Sequence, residues 1–80
     1  MQEQSKQELF KLIAQHLRCN IKMIDTGASV DTIGTWTSMN HVLLVQALED
    51  QFNIRFNEDQ MVEMMDVQSI INVLEEYGVS

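Results

Sequence analysis

Eighty residues with no proline, three glycines and 45% apolar side chains make one small domain, residues 1–80, whose composition favours an all-helical chain around a modest core. The formal charge of −7 lies wholly in residues 49–80, where eight acids stand against Arg55 alone, while residues 1–48 balance four acids with four bases. That field repels nucleic acid and anionic lipid and attracts basic protein surfaces, although it serves solubility equally well.

A lone cysteine, Cys19, excludes an internal disulfide and fits a reducing compartment. The longest apolar run, Val42 to Val45, is far shorter than the ~20 residues of a membrane span. The polar opening "MQEQSKQE" does not have the form of a secretory signal, so a cytoplasmic protein is expected.

In chain order, "SKQE" at 5–8 has the form of a capping box, with Ser5 as the cap and Glu8 reaching back. Leu9, Leu12, Ile13 and Leu17 follow at helical spacing, with Phe10 beside them, so a first helix is expected over about 5–18. About eighteen residues without strong periodicity come next, "NIKMIDTGASVDTIGTWT". A loop that long in a small domain must be pinned or functional, and Ile21, Met23, Ile24, Val30, Ile33 and Trp36 can pin it across the bundle. A second helix is expected from near Ser38 to near Phe52. "NEDQMVEMM" at 57–65, apolar at Met61, Met64 and Met65, reads as a brief third helix or an irregular turn. Asp66 then caps a fourth helix with Val67, Ile70, Ile71, Leu74 and Tyr77 on one face, closed by Gly78.

The second helix carries more apolar surface than one core contact requires. His41, Leu44, Val45, Leu48 and Phe52 share one face, while Met39, Val42, Leu43 and Gln46 follow helical spacing on another. Burial all round or a dimer contact would explain two stripes. In so small a bundle, a stripe that docks a partner explains them better.

Ser38 stands where the Gly/Thr-rich loop becomes this helix. A serine there is ordinarily the N-cap, but Thr37 directly before it can do the same work. With Thr37 as the cap, Ser38 is the first helical residue, its hydroxyl free beside the positive end of the helix dipole, where a phosphate ester is favoured. Ser38 and His41, three apart, also suggest a nucleophile and base, but no orienting carboxylate lies near them in sequence. His16, Cys19 and His41 lack metal-ligand spacing, and "DTGASVDTIGTW" lacks the ligand pattern of a calcium loop.

The order of these features resembles the acyl carrier protein family. That family has a serine at the head of its second helix, a long preceding loop, a short acidic third segment and a capped fourth helix. Its signature is Asp-Ser-Leu, often Trp-Asp-Ser-Leu in specialised carriers; here it reads Trp36-Thr37-Ser38-Met39, followed by "NHVLLVQALEDQFNIRF". "VDTIG" at 30–34 and "VQSIINVLEEYG" near the end extend the likeness over nearly the whole chain.

The resemblance implies a four-helix bundle of acyl-carrier type, three helices longer and one short, and a monomer that is a carrier rather than an enzyme. A phosphopantetheinyl transferase would attach 4′-phosphopantetheine from coenzyme A to Ser38. The arm would hold an acyl or aminoacyl group as a thioester for loading and downstream enzymes of fatty-acid or specialised-metabolite biosynthesis. Trp36, Thr37, Met39, Val42, Leu43 and Gln46 would form the docking surface. Two residues depart from the pattern. Thr37 keeps a capping oxygen but lacks the charge that helps the transferase and its metal. Leu43, with neutral Gln46 beside it, stands where fatty-acid carriers often have an acid, which shifts docking toward apolar contact. The alternative is an unmodified carrier-like interaction module that docks through the same helix.

Overall fold

The computed structural model describes residues 1–80 as four helices without a strand: α1 (Glu3–Leu17), α2 (Ser38–Phe52), α3 (Glu58–Glu63) and α4 (Val67–Glu76). Three are long and α3 is short, and a 3-10 turn at Ile21–Met23 interrupts the loop between α1 and α2. None of them is long and apolar enough to cross a membrane.

α1 begins three residues earlier than the capping-box pattern predicts. Its N-cap is Gln2, which makes no side-chain capping bond. Ser5 lies inside the helix, and its hydroxyl donates to the Ser80 carbonyl at 2.7 Å, so the Ser5–Glu8 box does not form. A contact from the far end of the chain has taken the side chain that the local pattern would use. Leu9, Ile13 and Leu17 face inward without exposure, and α1 packs on α2. The helix stops at Arg18, which turns left-handed at φ 56° while its N–H returns to the Ala14 carbonyl.

The long loop is pinned by four of the six residues that the apolar pattern suggests, with Ala28 added to them. Ile24, Ala28, Ile33 and Trp36 are buried and Val30 is half-buried, while Ile21 and Met23 are exposed. The short turn directs its own side chains outward, and the extended residue after it, Ile24, takes the inner place. Val30 N–H donates to the Met65 carbonyl and Val67 N–H to the Ala28 carbonyl, so the loop is stitched to the junction of α3 and α4 around a Ser29–Asp66 bridge.

α3 is a helix rather than an irregular turn because it carries a reciprocal cap. Gln60 N–H donates to Asn57 Oδ1 at 2.8 Å, and Asn57 N–H donates to Gln60 Oε1 at 3.0 Å. Of its methionines, Met64 is fully buried, Met61 half-buried and Met65 exposed. Asp66 caps α4 as expected, its Oδ1 accepting from Ser69 N–H at 2.7 Å. Val67, Ile70, Ile71 and Leu74 are buried, joined by Val73.

Tyr77 departs from that face: it is exposed, its hydroxyl lies against the Arg55 carbonyl and Gln60 Oε1, and its ring meets Phe56 edge-on at 5.6 Å. A phenol buried with the aliphatic face would lose those partners. Gly78 ends the helix at φ 87°, a conformation that costs glycine little, and Val79 N–H returns to the Leu74 carbonyl. The common core therefore joins Leu9, Ile13 and Leu17 to Leu44, Leu48, Met64, Ile70 and Leu74, each worth about 1.5–3 kcal/mol of burial.

Candidate functional site

The head of α2 divides its work between two adjacent hydroxyl residues. Thr37 is extended (φ −90°, ψ 170°), and its Oγ1 accepts from Asn40 N–H at 3.2 Å, so Thr37 is the N-cap. Asn40 also reaches back, its side-chain amide donating to the Thr35 carbonyl at 2.8 Å. Ser38 is the first helical residue and is exposed. Its hydroxyl is not used in capping. The N–H groups of Ser38 and Met39 have no partner within the chain and open toward solvent at the positive end of a fifteen-residue helix.

Beside Ser38 lies a depression of about 380 Å³, lined by Val30, Trp36, Thr37, Ser38, His41, Val42 and Met65. A hollow of similar size at the other end of α2 is lined by Gln46, Glu49, Asp50, Asn53, Ile54 and Arg55. It is polar and stands about 20 Å along the helix from Ser38, at 1.5 Å per residue. Only the first combines a free hydroxyl with apolar walls.

The two faces of α2 separate as the spacing predicts. His41, Leu44, Val45 and Leu48 are buried and Phe52 is half-buried. Met39 is 74% exposed, Val42 43% and Leu43 45%, and Gln46 is exposed with them. Exposed Val62 of α3 and Met65 just beyond it add apolar surface that the helical spacing of α2 alone does not reveal. Met65 shares the depression with Val42.

Trp36 is the exception among the expected docking residues. It is 5% exposed, so its ring is part of the interior and offers a partner little beyond the part that lines the depression. Its indole N–H donates to His41 Nδ1 at 3.0 Å, and His41 Nε2 lies 2.8 Å from the Met61 carbonyl. An indole N–H only donates and a carbonyl only accepts. The imidazole is therefore neutral, with its proton on Nε2. Both ring nitrogens are committed to these partners, so His41 is not a base for Ser38. No ion pair involves the ring.

Cys19, half-buried after α1, has its thiol pushed up by desolvation, which lowers its thiolate fraction and its reactivity. No model of a known protein family matches this chain, and no curated protein matches it in sequence.

Proposed function

We propose that this chain is a carrier of the acyl-carrier type, in which Ser38 receives a 4′-phosphopantetheine arm from coenzyme A. The observation that carries the reading is the division of labour between Thr37 and Ser38: the first caps the helix, and the second is exposed with its hydroxyl spare. A modified serine needs both conditions, since a hydroxyl engaged in capping would be withdrawn from an incoming phosphate. The unpartnered N–H groups of Ser38 and Met39 favour negative charge at that position. When bound, the arm supplies a terminal thiol that holds an acyl or aminoacyl group as a thioester. The chain's own residues fix the helix start, present the serine, and offer Met39, Val42 and Leu43 to loading and downstream enzymes.

A second reading, an unmodified module that docks through α2, draws on two observations. Thr37 places no charge beside Ser38, and the apolar stripe is exposed whether or not an arm is attached. Intact mass separates the two. Incubated with a promiscuous phosphopantetheinyl transferase, magnesium and coenzyme A, the chain is expected to gain the mass of one arm. Ser38→Ala is expected to gain none while keeping its helicity, at a cost of at most ~1 kcal/mol because Thr37 still caps. Modification of the Ala variant would put the arm elsewhere, and an inert wild type would favour the docking module.

A further inference from the structure

Three segments meet at the ring of His41. Trp36, two residues before Ser38, donates to Nδ1, and Nε2–H donates to the Met61 carbonyl in α3. His41 N–H also closes the first turn of α2 by donating to the Thr37 carbonyl at 2.8 Å. The Met61 carbonyl needs such a donor. α3 ends at Glu63, so its last carbonyls have no intrahelical partners; that of Gln60 takes Met64 N–H, and that of Met61 takes the imidazole. His41 thus caps the end of α3 and anchors the indole that precedes Ser38. The ring is 6% exposed, so removing it leaves a buried indole N–H without its acceptor.

We propose that His41 is a positioning residue for the chemistry at Ser38: by joining Trp36 to the end of α3, it holds the Thr35–Ser38 approach in the geometry a modifying enzyme needs. It has this role only if Ser38 is the attachment residue proposed above. In that transfer the Ser38 oxygen forms a phosphoester bond as the pyrophosphate bond of coenzyme A breaks. The adenosine bisphosphate leaves, and the hydroxyl proton passes to the transferase. Met39, Val42 and Leu43 take no part in the clasp, so docking and serine placement rest on different side chains.

The experiment compares wild type, His41→Ala and His41→Asn as substrates of a promiscuous phosphopantetheinyl transferase with magnesium and saturating coenzyme A, each below its melting temperature. His41→Ala is expected to lower kcat about tenfold or more while KM for the carrier moves less than about twofold, the pattern of a misplaced reacting atom. Asn offers an amide oxygen near the place of Nδ1 for the Trp36 N–H and is expected to recover most of the lost kcat. An Ala variant that folds and keeps the wild-type kcat overturns the role, as does an Asn variant no better than Ala. Nitrogen-15 spectra of the unmodified wild type are expected to show Nε2 protonated and Nδ1 bare, with the single indole N–H hydrogen-bonded. The opposite tautomer overturns the clasp even when neither variant folds. A wild type that gains no mass overturns the reading of Ser38 along with this one. A modified wild type with an indifferent His41→Ala overturns this one alone.

Discussion

On one face of α2, Leu44 and Leu48 lie beyond the reach of water; on another, Met39, Val42 and Leu43 are exposed to it. The two faces are chemically alike, and within the same fifteen residues they have opposite relations to the fold. The inner side chains belong to one apolar cluster with residues of α1, α4 and the pinned loop. For the outer ones the rest of the chain has no surface left to offer. Apolar character alone therefore does not decide burial in a domain this small: the number of available partners does. Val42 of the exposed stripe shares a depression with Ser38, which is where the proposed docking enzyme would use it.

Three variants bear on this contrast. Leu48→Ala is expected to cost ~2–5 kcal/mol in a denaturant melt, through lost burial and a cavity. Leu43→Glu is expected to cost well under ~1 kcal/mol in the same melt, as surface changes usually do. It should nevertheless weaken binding to a partner enzyme, by placing an unpaired charge in an apolar contact. Equal losses from the two variants would erase the distinction between the faces. Thr37→Asp retains a capping oxygen and adds negative charge at the helix start, so it should raise stability by ~0.3–1 kcal/mol at low salt. It should also speed modification of Ser38; an unchanged mass-gain rate would show that the transferase does not use that charge.

The smallest effect concerns an inward-leaning thiol at the end of α1. Burial raises Cys19 above its ordinary value of 9.0, so the unfolded chain loses this proton first. The stability tied to the thiol is whole below pH 9.0 and is lost as pH rises through the raised value. Cys19→Ser should flatten that alkaline slope in melts recorded across the range.

Local chemistry in the sequence located the elements that matter most for the site. The approximate bounds of α2, the Asp66 cap and the Gly78 stop each depend on residues a few positions apart and are legible in the sequence, which offers Thr37 as one of two candidate caps. Two of the differences, at Ser5 and Trp36, come from contacts distant in sequence. Ser5 has the spacing of a cap, but its hydroxyl is taken by Ser80 at the other end of the chain. Trp36, adjacent to the site, invited a place on the surface, yet its indole is held by His41, which is held in turn by Met61, twenty residues further on. Ile21 and Met23 were apolar candidates for the interior, and a 3-10 turn directed them out. The Asn57–Gln60 cap was local and readable, but it takes an Asn-x-x-Gln form where the usual pattern begins with Ser or Thr.

The stitching of Ala28 and Val30 to Met65 and Val67 also bears on how the domain assembles. These backbone bonds join parts of the chain on either side of α2, so they close a long loop, and the entropy of closure is spent before the bonds form. Contacts of that kind slow folding relative to helix–helix contacts made between neighbours in sequence. The segment leading to Ser38 is therefore set in part by chain from the far side of α2, through the bonds that residues 28–30 make with residues 65–67.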